Sequence, residues 1–277
     1  MPELPEVETT RRGLAPTVEH HRIECAIVRH RGMRLPVPRG LERRLAGARI
    51  MSLRRRGKYL LFDCSQANGN TGTLIVHLGM SGRLWLVDAA TPAEKHDHFD
   101  LVIDNGLVVR LRDPRRFGLV LWQTGDALTH PLLASIGPEP LTADFDGAVL
   151  YRETRKRNAA IKLVIMDSHV VAGVGNIYAN EALFHAGIDP RTPASRVSRK
   201  RCDLLAGEIK KTLASAIDAG GSSLRDYVGS DGMAGNFQNH FLVYGRAGEP
   251  CTQCGTVIRE LRQGQRATCY CPSCQRR

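Results

Sequence analysis

The sequence predicts an α+β multidomain protein: a leading helix, an antiparallel β-sandwich, then a helical bundle that closes on a four-cysteine β-hairpin. Three observations carry this reading. Short apolar runs broken by turn residues fill positions 22–125. After Pro138-Glu139-Pro140 the apolar spacing becomes helical. The last stretch holds Cys251-x2-Cys254 and Cys271-x2-Cys274. A chain of 277 residues is long enough for more than one core. The boundaries expected are 1–135, 136–245 and 246–277.

The first helix is expected over 5–15, because Pro5 suits a first turn and Val7, Thr10 and Leu14 fall on one face. Strands follow. Ile23, Cys25 and Ile27 alternate with Glu24, Ala26 and Val28. Further runs are 59–62, 73–76, 84–87, 99–103, 107–111 and 119–122, and Asp104-Asn105-Gly106 marks a hairpin turn. The polar stretch 65–72 reads as an exposed loop tip. Helices are expected at 142–157, 159–167, 176–186 and 199–218, with Gly173 and Gly175 between the second and third. Two short helices joined by a glycine turn fit a helix-turn-helix, or an ordinary helical hairpin. Residues 220–236 carry five glycines and no apolar period, the pattern of a long loop.

Lys and Arg total 39 against 28 Asp and Glu, a net charge of +11. The pI is about 9.6. Such an excess favours a polyanionic partner, nucleic acid before an anionic membrane surface. No apolar run is long enough to span a bilayer, and the acidic N-terminus does not read as a signal peptide. Five of the eight cysteines crowd into the last 27 residues. That asymmetry points to a metal site in a reducing compartment, hence a cytoplasmic protein. The two CxxC pairs, sixteen residues apart, suit one tetrahedral zinc ion held by Cys251, Cys254, Cys271 and Cys274. Cys269 breaks the spacing and is left without a ligand role. Arg259, Arg262 and Arg266 lie between the knuckles, where a hairpin can rest on phosphates.

Pro2 follows the start methionine. Removal of Met1 exposes a secondary amine, a nucleophile able to hold a sugar carbon as an iminium. A helix N-terminus next to it disfavours the protonated amine. Glu3 stands beside it as an acid or base.

Seven motifs stand in order along the chain: Met1 to Thr9 (MPELPEVET), Gly57-Lys58-Tyr59-Leu60, His77 to Gly82, Lys95-His96-Asp97-His98, Asp113 to Gly118, Gly173 to Ala179, and Gln265-Arg266-Ala267-Thr268. Together they resemble bacterial formamidopyrimidine-DNA glycosylases. The resemblance covers the whole chain in order. It implies a helix-two-turn-helix bundle between the sandwich and the zinc hairpin, and a monomer acting on damaged double-stranded DNA. Oxidised purines, 8-oxoguanine and formamidopyrimidines, are the implied lesions.

The resemblance also implies roles. Pro2 attacks C1′ of the damaged nucleotide, and Glu3 protonates the sugar ring oxygen. Lys58 matches the position assigned to β-elimination, though it equally suits a phosphate or the lesion. Arg266 matches the position assigned to δ-elimination. Because arginine stays protonated, phosphate binding is its physical job. Met80, Arg115 and Phe117 match the residues that fill the void left by a flipped base. His96, Arg115 and Arg157 match DNA-contacting positions, and Lys162 and Asn176 are expected to add phosphate contacts. The glycine-rich stretch near 220–236 resembles a segment that closes over the extruded base.

Two alternatives stay open at this point. A non-catalytic zinc-containing DNA-binding protein explains the charge and the cysteines, but not Pro2-Glu3 together with Lys58 and Arg266. An endonuclease VIII-like enzyme for oxidised pyrimidines keeps the chemistry. That sister family usually has Gly where this chain has Leu4, and it lacks the Arg115/Phe117 pair.

Overall fold

The computed structural model describes residues 2–66, 68–222 and 236–277. They form two compact units. One comprises the described residues up to Ala134 together with 219–222 and Asn236; the other comprises Ser135–Asp218 and Phe237–Arg277. Of the glycine-rich stretch, residues 223–235 lie outside the described residues.

The first unit opens with α1 (Leu4–Val18), longer than expected at both ends. Glu3 is its N-cap, in extended backbone, and its side chain accepts the amide of Glu6 while the Glu6 carboxylate accepts the amide of Glu3. This reciprocal capping box satisfies amides that the first turn leaves without partners. Eight strands follow: β1 (Ile23–Val28), β2 (Arg49–Arg56), β3 (Tyr59–Ser65), β4 (Thr71–His77), β5 (Arg83–Asp88), β6 (Asp97–Ile103), β7 (Leu107–Arg112) and β8 (Leu119–Thr124). A short α2 (Leu41–Leu45) precedes β2, and α3 (Pro131–Ala134) ends the stretch.

The strands form two antiparallel sheets, β1-β6-β7-β5 and β2-β3-β4-β8. One core joins them. Ile23, Leu84, Leu101 and Val109 come from the first sheet, and Ile50, Leu60, Phe62, Leu74 and Val76 from the second. Leu14 and Val18 of α1 and Leu41 and Leu45 of α2 complete it. Each such side chain contributes about 1.5–3 kcal/mol by leaving water. The simple alternation expected in β1 fails. A register shift between Ile23 and Cys25 puts Ile23 and Ala26 inward and leaves Cys25 and Ile27 exposed.

The second unit holds α4 (Gly147–Arg155), α5 (Ile161–Ile165), α6 (Asn176–His185) and α7 (Arg199–Asp218). The helix expected from 142 starts later because Asp146 caps it, its carboxylate accepting the Val149 amide at 2.8 Å. Gly147 lets α4 press onto α7: a Cβ there would lie 2.4 Å from the Asp203 Cα. Helix α6 is buried from Ile177 through Phe184, at the centre of the unit. The hairpin strands β9 (Arg259–Gln263) and β10 (Arg266–Tyr270) pair in register from Gln263↔Arg266 to Arg259↔Tyr270. No helix among the described residues is long and apolar enough to cross a membrane.

Candidate active site

The N-terminal stretch lies inside the first unit. Pro2 is buried, and Glu3 and Glu6 are each 1% exposed. Besides the Glu3 amide at 2.8 Å, Glu6 accepts the amide and hydroxyl of Ser222 at 2.8 and 2.9 Å. One buried carboxylate thus ties the start of α1 to the chain that follows α7. Sequence reading missed Glu6, although a glutamate three residues after an N-cap is the capping-box signal.

Lys58 stands on the two-residue turn between β2 and β3. Gly57 takes a φ of +54°, which a glycine in the first turn position supplies without strain. The Arg55 guanidinium donates to the Gly57 carbonyl at 3.0 Å and to the Glu8 carboxylate of α1 at 3.1 Å. Burial raises the Glu8 carboxyl, but hydrogen bonds and charge from Arg11, Arg55 and Arg12 outweigh it and hold the group low. On β4 the largely buried His77 is pushed down to about 4 by burial and then by the charges of Lys58 and Arg34. Its Nδ1 accepts the Gly79 amide at 2.9 Å, so the neutral ring is the one that fits.

Met80, Arg115 and Phe117 share one corner of this unit. The buried Asp113 accepts the Ser81 hydroxyl and the Gly118 amide, each at 2.7 Å. Its own amide donates to the His96 carbonyl at 3.0 Å. His98 Nε2 lies 3.0 Å from the Asp113 carbonyl oxygen. Three segments, 77–82, 96–98 and 113–118, therefore meet on one residue. Gly79, at φ +65°, leans on the third: a Cβ there would lie 2.4 Å from the Phe117 carbonyl carbon. On this base Met80 and Phe117 are each 42% exposed, so neither is spent on the core. The Arg115 guanidinium stacks 4.7 Å from the Phe117 ring centre.

In the second unit, the hairpin tip is Gly264-Gln265, both with positive φ, the backbone of a tight two-residue turn. Arg266 follows it and is exposed. The next carbonyl, that of Ala267, accepts Lys162 Nζ at 2.9 Å and Asn176 Nδ2 at 3.1 Å. Lys162 also donates to Thr268 Oγ1 at 2.7 Å. The phosphate contact expected of Lys162 does not fit this placement, because the side chain is fully buried and its ammonium points into the hairpin. Asn176 Oδ1 is buried without a partner among the described residues. Arg157 donates to the Glu153 carboxylate at 2.7 Å and lies 3.9 Å from Asp167.

The four hairpin-base sulfurs, of Cys251, Cys254, Cys271 and Cys274, all lie within 4.8 Å of one another. Cys251 and Cys274 sulfurs are 3.9 Å apart, and Cys254 and Cys271 sulfurs 3.5 Å. A tetrahedral site with bonds of about 2.3 Å has edges of about 3.8 Å, so the spacing fits zinc. Charge argues the same way. Hydrogen bonds from Thr256 pull the Cys254 thiol down to about 6, while burial and the other three sulfurs drive Cys274 far up. Four thiolates this close need a cation among them. The donor set is that of one structural zinc ion. Gln275 braces the knuckle, accepting the Cys271 amide at 2.8 Å and donating to the Ile188 carbonyl at 2.9 Å. Cys269 is not part of the cluster. It packs with Phe184, Val243 and Ile258, and its amide donates to Asn180 Oδ1 at 2.9 Å.

Comparison with known proteins covers nearly the whole chain. Residues 1–120 match the model of the formamidopyrimidine-DNA glycosylase N-terminal domain, 136–228 that of the formamidopyrimidine-DNA glycosylase H2TH domain, and 248–277 that of a zinc finger found in FPG and IleRS. A formamidopyrimidine-DNA glycosylase of Pseudomonas putida (strain GB-1) is 56% identical over 276 residues, spanning 100% of both chains. The structure resembles the Lactococcus lactis Fpg in complex with DNA containing an abasic site, with a TM-score of 0.91, 36% identity and 100% of each chain covered. It also resembles a MutM in complex with DNA containing carbocyclic 8-oxo-G, with a TM-score of 0.88, 36% identity and 100% of each chain covered.

Proposed function

This chain belongs to the formamidopyrimidine-DNA glycosylase family, and from that premise we propose that it excises oxidised purines from duplex DNA and then cuts the strand at the abasic site. The observation that carries the mechanism is the placement of Pro2 and Glu3: a buried proline directly before a buried glutamate that caps α1.

With Met1 removed, the Pro2 nitrogen attacks C1′. The C1′–N bond to the damaged base breaks, and the base departs with the electron pair and takes a proton. Glu3 protonates the ring oxygen as the sugar opens, leaving an iminium between Pro2 and C1′. The iminium acidifies the C2′ proton. Its removal expels the 3′ phosphate, and a second elimination expels the 5′ phosphate. Lys58 serves the first elimination, and Arg266 steadies a departing phosphate by charge. Met80, Arg115 and Phe117 fill the gap that the flipped nucleotide leaves. His96, Arg157 and Asn176 contact the backbone, which for Arg157 means exchanging Glu153 for a phosphate. The 8-oxo-G and abasic-site DNA held by the structural neighbours supports the substrate reading.

Borohydride trapping tests this reading. A duplex with 8-oxoguanine opposite cytosine should give a reduced covalent complex with the protein. Replacing Pro2 by an N-terminally blocked residue should abolish it. A folded, zinc-loaded protein that traps no complex refutes the mechanism. A stronger yield on an oxidised-pyrimidine duplex refutes the purine assignment alone.

A further inference from the structure

We propose that Arg55 is a positioning residue that sets Lys58, by fastening the Gly57 carbonyl to Glu8 of α1. The inference rests on the reading of Lys58 given above. Gly57 has no side chain to hold its peptide plane, and rotation of that plane swings Lys58. The Arg55 Nη1 bond to the Gly57 carbonyl, at 3.0 Å, opposes that rotation. The same guanidinium reaches Glu8 through Nε at 3.1 Å, and both side chains are nearly buried, 11% and 12% exposed. Glu8 is itself held by Arg11 at 2.8 Å and Arg12 at 3.1 Å, and Arg11 reaches the Leu53 carbonyl on β2 at 3.4 Å.

Glu8 stands five residues past Glu3 on the same helix, roughly 7–8 Å along its axis. The Glu8–Arg55–Gly57 chain therefore references the Lys58 turn to the helix end that carries Pro2 and Glu3. Its neighbour Arg54 does something different. It is 47% exposed and pairs with Asp63 across its own hairpin, as a solvated strand arginine does. A planar fork is needed at position 55, since a single ammonium cannot bond Glu8 and the Gly57 carbonyl in that geometry.

The test uses the full-length, zinc-loaded protein and a duplex with a preformed abasic site, so that base excision drops out. Under single-turnover conditions Arg55→Lys should slow strand cleavage roughly 10–100-fold, the cost of a misplacement near 1 Å. Duplex Kd should stay within about twofold, because the Arg55 side chain is nearly buried and spent on Glu8 and Gly57. Glu8→Gln, which loosens the anchor without touching Arg55, should slow cleavage about 3–10-fold. In a Lys58→Ala background neither change should slow cleavage further. An equal loss in that background overturns the inference, as does a loss confined to Kd. Arg55→Lys at the wild-type rate beside a slow Lys58→Ala also overturns it and leaves the Lys58 reading intact. Lys58→Ala at the wild-type rate sinks that reading and this inference together. If Arg55→Lys fails to fold, Glu8→Gln in both backgrounds decides between the same outcomes.

Discussion

Lys162 and Asn176, from two different helices, donate to a single acceptor, the Ala267 carbonyl one residue past Arg266. The hairpin strand that presents Arg266 is therefore held by side chains and not by its own two-stranded ladder alone. Two strands without support are marginal in water.

Replacing Lys162 by Met should separate local order from global stability. Removing a buried ammonium relieves a desolvation cost, so the melting temperature should move little. The lost bonds to Ala267 and Thr268 should free the strand, with amide exchange at 266–268 faster by about tenfold, equivalent to about 1.4 kcal/mol. Unchanged exchange there would show that Asn176 and the zinc suffice.

Asp113 should behave differently, because its loss leaves buried donors without a partner. Asp113→Asn places one amide N–H against the Ser81 hydroxyl or the Gly118 amide and should cost about 1.5–3 kcal/mol. Ser81→Ala removes one bond and should cost about 1 kcal/mol. Thermal melts check both. Lesion-duplex affinity should fall with Asp113→Asn as Met80 and Phe117 lose their shared base. Full affinity in a destabilised Asp113→Asn protein would detach those residues from DNA binding.

Chelation of the zinc should melt the hairpin and spare the helices. The ion supplies folding free energy to a module with few core residues of its own. Circular dichroism should keep most helical signal, exchange at 259–270 should rise, and duplex affinity should drop at least roughly tenfold, with recovery on adding zinc. Tight binding by fully metal-free protein would contradict this.

His77 predicts an acid-side weakness. Its folded pKa of about 4 lies below the ordinary value of 6.5. The unfolded chain thus takes up a proton that the fold refuses, and stability falls as pH drops from 6.5 toward 4. Partial solvent contact limits the loss to roughly 1–3 kcal/mol. His77→Asn, which keeps an acceptor for Gly79, should flatten the dependence of the melting temperature on pH over that window. An unaltered slope would assign the effect to other groups.

What the sequence reveals follows from which interactions are local. The strands with clean apolar runs, the four helices of the second unit and the zinc cysteines are all legible, because spacing alone specifies them. Strand β2 is not predicted, because Arg49, Arg54, Arg55 and Arg56 break any apolar pattern and only the fold supplies Asp63 and Glu8 as partners of Arg54 and Arg55. The inward face of β1 is misread because a bulge depends on its partner strand. At the site, Pro2, Glu3 and Lys58 stand out by residue type and motif. Asp113 falls in a motif too, but its bracing role does not show there, since its bonds to Ser81 and Gly118 exist only once two loops meet. Lys162 reads as a surface residue because nothing near it in sequence marks a lysine whose acceptors lie over a hundred residues away.

Gly79 ties the tolerance of two loops together. With a Cβ 2.4 Å from the Phe117 carbonyl carbon and 2.5 Å from the Gly118 nitrogen, no other residue fits unless the second loop retreats. Substitutions that reshape 77–82 must therefore be matched by changes in 113–118, and neither loop drifts alone. The two stretches are a single cassette, to be exchanged between relatives as a pair with Asp113 and Ser81 inside it.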